Sequence, residues 1–314
     1  MKKKISIVIP FYNEEEVINH SYNEITKYLN QLENQYNFEI ICVNDGSKDK
    51  TLKFLLELSE NDPRLKIIDL SRNFGHEMAI LAGLENATGD AVITMDCDLQ
   101  DPPSLISEML KLWEEGYEVI HAKRSKRKTD SFFKKISAKL FYKIFNRLSS
   151  TQMPENVANF RLLDKSALDA LLRFKEHKRY YRGLSVLIGF KQTFIEHERN
   201  ERVAGKTKYP LKKMLRLATD AILAFSSIPL QIITQIGILI SFFSFLGITY
   251  ALIVKLFFSE YAVPGWAFTT IAIFFLGGIQ ILIMSIIGMY IERIYTEVLN
   301  RPHYIIRAIY ENKK

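Results

Sequence analysis

The sequence predicts an α/β protein with a mainly parallel sheet, helices on both faces of that sheet, and two membrane-spanning helices after it. The first observation is that short apolar runs alternate with segments of helical spacing, the pattern of strand–helix–strand units. The second is a pair of apolar runs, residues 232–254 and 267–291, that contain no charged residue. Each run has about 23–25 residues, enough to cross a bilayer core of about 30 Å as a helix. Buried helices of a soluble core rarely run this long without a charge.

The strands and helices of the predicted sheet follow one another in a regular order. Apolar runs that predict strands occupy residues 5–9, 38–43, 65–70, 91–95 and 117–122. Helical spacing follows the first four of them, at residues 15–35, 51–59, 75–87 and 102–115. Ligands of such sheets bind at the carboxyl ends of the strands. We therefore expect Asp45 and the pair Asp96 and Asp98, which follow predicted strands, to face one crevice.

The most informative stretch is Asp96-Cys97-Asp98-Leu99-Gln100, directly after a predicted strand. Two acids at positions i and i+2, with a carbonyl oxygen at i+4, can gather hard oxygen ligands around one divalent cation. Two carboxylates this close repel each other unless a cation or hydrogen-bond donors lie between them. A pair of solvated loop acids is the alternative, because acid-x-acid is a common loop pattern.

Two familiar nucleotide-binding motifs are missing. No G-x-G-x-x-G follows the first predicted strand, so the dinucleotide-binding fingerprint is absent. Gly205-Lys206-Thr207 resembles the end of a phosphate-binding P-loop, but the first glycine of that motif would stand where the chain has Asn200. The sequence therefore predicts neither kind of site.

The net charge of +7 is concentrated after the last predicted strand of the sheet. Residues 123–147 contain ten Lys or Arg and a single acid, Asp130. Nucleic-acid binding is one interpretation of such a patch, but in a chain with membrane spans we favour an anionic lipid surface or a lipid phosphate. Residues 132–148 predict a basic amphipathic helix at a membrane surface, with a half-buried helix of the soluble domain as the alternative. Residues 211–225 have a similar character.

The distribution of charge predicts the topology. The link between the two apolar runs carries one Lys and one Glu, whereas the regions before and after the pair are rich in Lys and Arg. Basic flanks stay cytoplasmic, so we expect a two-span protein of the inner membrane with both termini in the cytoplasm. The predicted division is a cytoplasmic domain at 1–227, a transmembrane hairpin at 228–292 and a cytoplasmic tail at 293–314.

Five ordered motifs resemble those of the family 2 glycosyltransferases. They most closely resemble the membrane-bound polyprenyl-phosphate glycosyltransferases, the group of dolichol-phosphate mannose synthase and the bacterial undecaprenyl-phosphate glucosyltransferases. The resemblance covers nearly the whole chain. The motifs are Pro10-Phe11-Tyr12-Asn13-Glu14, Val43-Asn44-Asp45-Gly46-Ser47, Asp96-Cys97-Asp98-Leu99-Gln100-Asp101-Pro102, Asn159-Phe160-Arg161-Leu162 and Arg202-Val203-Ala204-Gly205-Lys206-Thr207-Lys208-Tyr209.

The resemblance implies a GT-A-like fold and an inverting sugar transfer. The donor would be a nucleotide sugar, UDP-glucose or a related UDP-sugar, and the acceptor would be undecaprenyl or another polyprenyl phosphate at the cytoplasmic membrane face. The cofactor would be Mg²⁺ or Mn²⁺, held by Asp96, Asp98 and Gln100, because an all-oxygen site suits these cations. The family also implies a homotetramer, and it implies no nucleic-acid partner.

The donor site implied by the resemblance lies in the loops that follow the first four predicted strands. Asp45 would accept hydrogen bonds from the base or ribose, with Gly46 allowing a tight turn. Tyr12 would stack on the base, although plain packing is the alternative for this residue. The residues expected to bind the nucleotide are Pro10, Tyr12, Glu14, Asp45, Arg72 and Asp96.

The acceptor site implied by the resemblance is built from basic residues that would hold a lipid phosphate by charge-assisted hydrogen bonds. Residues expected to bind this phosphate are Arg124, Lys134, Lys135 and Tyr209. For any single lysine, a general lipid-facing charge is the alternative. The residues expected to be catalytic are Asp98, Arg124, Arg202 and Lys206.

Two positions depart from the pattern of the family. An acid often precedes Phe-Arg-Leu in relatives and is a candidate base, but this chain has Asn159. A phosphate monoester has its second pKa near 6 and is largely dianionic at pH 7, so it is already a nucleophile. We therefore predict catalysis by positioning and electrostatics. Lys134 and Lys135 stand where relatives often have Arg, and lysine lacks the bidentate fork.

A processive polysaccharide synthase of the same superfamily is the first alternative. Such enzymes usually carry a Gln-x-x-Arg-Trp signature and more membrane spans. The only tryptophans of this chain, Trp113 and Trp266, do not follow an arginine, which argues against this alternative.

A membrane-anchored binding or scaffold protein with a degenerate transferase domain is the second alternative. Asn159 supports it, because the acid of the family is absent there. The retained Asp96, Asp98 and Gln100 oppose it, because a scaffold has no need of a metal site.

Overall fold

The computed structural model describes residues 2–124, 157–176, 184–185, 188–198 and 265–311, with isolated helical positions between 233 and 253. The predicted amphipathic helices at 132–148 and 211–225 lie outside the described residues. Five predicted site residues also lie outside them, namely Lys134, Lys135, Arg202, Lys206 and Tyr209. The described residues belong to two compact units, one holding residues up to 198 and from 301 onward, the other holding the apolar helix before residue 300.

The larger unit contains eight strands and five helices among its described residues. The strands are β1 Lys3–Phe11, β2 Tyr36–Asn44, β3 Leu65–Leu70, β4 Ala91–Thr94, β5 Val119–Arg124, β6 Val157–Asp164, β7 Gln192–His197 and β8 Ile306–Glu311. The helices are α1 Ile18–Leu32, α2 Thr51–Asn61, α3 His76–Glu85, α4 Leu105–Glu114 and α5 Lys165–Leu172. The predicted strands and helices of the first 122 residues are all present, with ends that differ by a few residues. One such difference makes Arg124 the last residue of β5, whereas the sequence placed it after that strand.

All eight strands join one mixed sheet in the order β7-β5-β6-β4-β1-β2-β3-β8. The first four strands pair in parallel, β1 with β2 and β4, and β2 with β3. Three strands were not predicted: β6 lies antiparallel between β4 and β5, β7 pairs in parallel with β5, and β8 covers the edge of β3 as an antiparallel strand. Chain order reverses at β1, so the loops after β1, β2 and β4 surround a crevice of the kind in which such sheets bind ligands.

The core forms because the central strands are apolar on both faces. Ile5, Ile7 and Ile9 of β1 are almost fully buried, as expected for strands that helices cover on both sides. Helix α3 packs very closely on the sheet at Gly83, where a Cβ atom would overlap Val8 Cγ1. The last turn of α3 is thereby packed directly on β1.

The smaller unit contains the helix Trp266–Val298, which has 33 residues. Within the described residues, one stretch of 24 residues, Phe275–Val298, is long and apolar enough to cross a membrane. It overlaps the second predicted span. The first predicted span, 232–254, lies largely outside the described residues, so the two-span hairpin remains a prediction.

Candidate active site

Asp45 organises the loop that follows β3. Its side chain is 2% exposed, and its carboxylate accepts hydrogen bonds from the backbone N–H of Phe74 at 2.7 Å and of Gly75 at 3.0 Å. Asn73 Nδ2 donates a third bond at 3.0 Å. Burial raises the pKa of Asp45, and the two N–H donors only partly offset this. Asp45, which is predicted to bind the nucleotide, thus also fixes the loop from Asn73 to Gly75.

Gly46 lets the loops after β2 and β3 touch. Its φ is +61°, in the left-handed region that favours glycine. A Cβ atom at this position would lie 2.6 Å from Asn73 N and closer still to the carbonyl carbon of Arg72. Backbone atoms cannot move aside as a flexible side chain can, so this contact requires a glycine.

We expect Gly46→Ala to disrupt the donor side of the crevice, because it adds both backbone strain and a clash with backbone. Strain of this kind costs about 1–3 kcal/mol, and the clash adds to it. The check is the thermal midpoint together with UDP affinity, with Gly116→Ala as the matched control. Gly116 also has a positive φ, +89°, but has open space where a Cβ would lie. Gly116→Ala therefore adds backbone strain without a clash. Equal losses of UDP affinity in the two variants would contradict this assignment.

The loop after β1 is tied to the loop after β2. Asn13 has a φ of +52°, its N–H donates to Ser47 Oγ at 3.0 Å, and its Oδ1 accepts from Lys48 N at 2.8 Å. Glu14 N donates to Thr51 Oγ1 at 2.9 Å. These bonds place the first two motifs side by side along one wall of the crevice.

The predicted nucleotide residues of this wall differ in exposure. Pro10 is buried within β1, opposite Val43 of β2. Tyr12 and Glu14 are half-buried in the loop that follows. Arg72 is exposed, and its guanidinium carbon lies 4.1 Å from the centre of the Phe74 ring. Tyr12, Glu14 and Arg72 are therefore more accessible to a nucleotide than Pro10.

The acid motif forms a tight loop at the end of β4. Asp98 and Asp96 are half-buried, whereas Gln100 is 7% exposed. Gln100 N donates to Asp98 Oδ1 at 3.2 Å. Leu99 has a φ of +53°, a conformation uncommon for a leucine and of the kind found at functional sites. The loop thus brings both carboxylates and the Gln100 amide into one short, strained segment.

His76, the first residue of α3, contacts this loop, and the sequence did not indicate a role for it. Its Nε2 lies 3.3 Å from Asp96 Oδ1 and 2.8 Å from Asn159 Nδ2. Thr94 Oγ1 donates to the carbonyl of Asn159 at 2.6 Å. Burial tends to raise the pKa of Asp96, but the neighbouring His76 outweighs burial, and the pKa lies below its ordinary value. Asn159 and Asp96 therefore both contact His76.

Asp101 is a second residue whose role the sequence did not assign. Its carboxylate accepts from Arg124 Nε at 2.8 Å and from Arg124 Nη2 at 2.6 Å, and His197 Nε2 lies 2.9 Å from its Oδ1. Arg124 and His197 are neighbours because β5 and β7 pair in parallel with these residues in register. Burial tends to raise the pKa of Asp101, but the hydrogen bonds from His197 and Arg124 hold it below its ordinary value. Asp101 thus orients Arg124, the predicted acceptor ligand.

The side chains of the acid motif suit a hard divalent cation. Asp96 Oδ1 is buried without a hydrogen bond of normal geometry to any described residue, although His76 Nε2 is near. Such an oxygen can be satisfied by a cation, and two carboxylates with an amide oxygen form the ligand set that Mg²⁺ or Mn²⁺ prefers. In the part of the chain that the structure describes, no group of three His, Cys, Asp or Glu converges on one point. The role of the Gln100 amide as the third ligand stays a prediction from the sequence.

Comparisons with known proteins agree with this architecture. The family model of Glycosyl transferase family 2 matches residues 6–172. The chain is 46% identical to "Uncharacterized glycosyltransferase YkcC" of Bacillus subtilis, over 98% of this chain and 95% of that one. It is 39% identical to "SfII prophage-derived bactoprenol glucosyl transferase" of Shigella flexneri, over 97% of both chains.

The fold also matches a solved glycosyltransferase. Glucosyl-3-phosphoglycerate synthase from Mycobacterium tuberculosis superposes with a TM-score of 0.51 at 15% identity, covering 70% of this chain and 78% of that one. At this identity the likeness concerns the fold alone, and it confirms the GT-A-like α/β sheet predicted from the motifs. Sequence and fold together show that the chain is a glycosyltransferase that belongs to glycosyl transferase family 2.

Proposed function

We propose that this glycosyltransferase transfers a hexose from a nucleotide sugar, UDP-glucose or a related UDP-sugar, to undecaprenyl or another polyprenyl phosphate. The observation that carries the proposal is the 39% identity to a bactoprenol glucosyl transferase over 97% of both chains. The apolar helix Trp266–Val298 supports it, since the acceptor lipid resides in a membrane. We place the reaction at the cytoplasmic face of the inner membrane, with the hairpin 228–292 as the anchor and the homotetramer of the family as the expected assembly.

The donor nucleotide lies, in this proposal, against the wall made by the loops after β1, β2 and β3. Asp45 binds the backbone of Phe74 and Gly75, so its main task is to shape this wall. Tyr12 offers a half-buried aromatic ring for the base. Arg72 supplies an exposed positive charge near the same loop, which suits a negatively charged nucleotide.

A divalent cation, Mg²⁺ or Mn²⁺, is proposed to bind Asp96, Asp98 and Gln100. When bound, it would neutralise charge on the diphosphate leaving group. Among the residues themselves, His76 contacts Asp96 and holds that carboxylate in place. Leu99, with its positive φ, makes the tight turn that separates Asp98 from Gln100.

The reaction needs no proton abstraction from the acceptor. A phosphate oxygen of the acceptor forms the new bond to the anomeric carbon, and the bond from that carbon to the nucleoside diphosphate breaks with its electron pair leaving on the diphosphate. The acceptor is already largely dianionic, which explains why the amide of Asn159 suffices where relatives often have an acid. In-line attack inverts the anomeric centre. Arg124, oriented by Asp101, is proposed to hold the acceptor phosphate with Lys134, Lys135 and Tyr209.

A panel of nucleotide sugars tests the proposed substrates. Purified full-length protein in nanodiscs receives each sugar donor with Mg²⁺ or Mn²⁺, and nucleotide release is measured with and without polyprenyl phosphate. We expect release from a UDP-hexose that depends on the lipid phosphate. Equal release without lipid phosphate would contradict the acceptor. Donor binding without turnover in any combination would support the scaffold alternative, and a sugar polymer as product would support the processive synthase.

A further inference from the structure

The segment after the apolar helix returns to the sheet and contacts β3 and the loop that follows it. Strand β8 pairs antiparallel with β3, and their register shifts between Asp69 and Leu70, next to the crevice end of β3. Beyond this shift, Ser71 N donates to Ile305 O at 2.9 Å. Arg307 Nη2 donates to Ser71 O at 2.7 Å. The tail thereby binds both backbone polar groups of Ser71, the residue that begins the loop leading to Gly75.

The same arginine also reaches the loop after β2. Arg307 Nη1 lies 3.5 Å from Asp69 Oδ2, and Asp69 is 1% exposed. The other oxygen of Asp69 accepts from Asn44 Nδ2 at 2.7 Å. Asn44 Oδ1 in turn accepts from Ser47 N at 3.3 Å. A continuous chain of polar contacts therefore joins Arg307 to the turn that contains Asp45 and Gly46.

A third contact fastens the tail to α3. The hydroxyl of Tyr304 donates to the carboxylate of Glu85, at the last residue of that helix. Helix α3 begins at His76, the residue that contacts Asp96. The tail segment from Tyr304 to Arg307 thus contacts β3, the loop after it and the helix after that loop.

We propose that Arg307 is a positioning residue for donor binding, and that residues Tyr304–Arg307 form a clasp that sets the geometry of the donor wall. Arg307 contacts Ser71 and Asp69, neither of which is a predicted nucleotide ligand, so it acts through the loop. Its short bond to the Ser71 carbonyl is charge-assisted, and such bonds are stronger than neutral ones. Loss of the clasp removes the bonds of the tail to Ser71 and leaves the contacts of Asp45 and Gly46 with the 71–75 loop, which then samples positions that do not bind nucleotide.

The test compares two variants on the same strand. Arg307→Met removes the charged fork and keeps a long side chain. Glu311→Gln removes the other ion pair between β8 and β3, Lys66 to Glu311 at 3.6 Å, which lies at the opposite end of the strand pair. We expect Arg307→Met to raise the KM for the nucleotide sugar about three- to tenfold with little change in kcat. Glu311→Gln should leave both constants unchanged.

Hydrogen exchange separates this inference from the proposed function, on which it rests for the choice of ligand. Arg307→Met should speed amide exchange at Phe74 and Gly75 without any ligand present, whereas Glu311→Gln should not. Arg307→Lys, which retains the charge without the fork, should recover part of the effect on both KM and exchange. Unchanged exchange at residues 71–75 in Arg307→Met would overturn the clasp whatever the substrate. If Arg307→Met instead lowers the thermal midpoint and changes both KM and kcat, Arg307 has a structural role and is not a positioning residue.

Discussion

Asp98→Asn should nearly abolish sugar transfer to polyprenyl phosphate, with a loss of about a hundred- to a thousandfold, the size found when a key electrostatic group is removed. The change preserves the size of the side chain and its ability to accept a bond from Gln100 N, so the loop should keep its shape. The negative charge is lost, and with it the ability to bind a divalent cation tightly beside Asp96. The measurement is the rate of product formation at saturating donor and metal, together with Mn²⁺ affinity by electron paramagnetic resonance.

The matched control for this variant is Asp169→Asn. Asp169 is an exposed acid of α5 that pairs with Lys165 at 3.0 Å, and exposed pairs contribute little. Its activity and Mn²⁺ affinity should equal those of the wild type. Near-normal, metal-dependent turnover by Asp98→Asn would contradict the site assignment.

Asp101→Asn is expected to be the most destabilising of the single changes considered. Asp101 and His197 are almost fully buried, and Arg124 is mostly buried. Removing one partner of a buried ion pair leaves an uncompensated charge, at a cost of about 3–5 kcal/mol. We therefore expect a clear fall in the thermal midpoint and, because Arg124 loses its fixed orientation, weaker binding of the acceptor phosphate in the protein that remains folded.

Glu196→Gln provides the control on the same pair of strands. Glu196 pairs with Lys123 at 2.6 Å, one position before His197 and Arg124 in the register, but it is exposed. Its loss should change the thermal midpoint very little. Similar midpoints for Asp101→Asn and Glu196→Gln would show that the buried contacts of Asp101 contribute nothing to stability.

The depressed pKa of Asp101 also predicts how stability changes with pH. A carboxyl whose pKa is lower in the folded protein than its unfolded value of about 3.9 stabilises the fold above that value. This stabilisation disappears as the pH falls through the folded pKa, because the carboxylate must then be protonated. The difference in unfolding free energy between wild type and Asp101→Asn should therefore be constant near neutrality and shrink below about pH 4. A difference that stayed constant into acid would contradict the role of this charge.

The strands β1 to β5 were predictable because they are continuous apolar runs bounded by turns, whereas β6, β7 and β8 were not predicted. Strand β6 contains Asn159 and Arg161, whose burial depends on partners such as Thr94 and Ser185 that lie far away in the sequence. Strand β8 is a short segment with charged residues in a region taken for a tail, and its partner β3 precedes it by more than two hundred residues. Local pattern contains no information about such pairings.

The residues of the candidate site also divide into those that the sequence predicted and those that it did not. Asp45, Asp96 and Asp98 could be placed at the crevice because each follows a parallel strand. His76, Asp101 and His197 could not be assigned, since a lone histidine carries no spacing signal and Asp101 looks like another acid of its motif. The one available signal was the position of His76, directly after the Ser71-Arg72-Asn73-Phe74-Gly75 stretch at the start of a predicted helix. Its distances to Asp96 and Asn159 required the structure.

The most direct test of the proposed activity is the mass of the lipid formed by the purified protein from UDP-glucose and undecaprenyl phosphate. Extraction and mass spectrometry of the lipid fraction should show one hexose on a single phosphate, absent when Asp98→Asn replaces the wild type. The proposal is contradicted if undecaprenyl phosphate stays unmodified when metal and each nucleotide sugar that binds the protein are supplied.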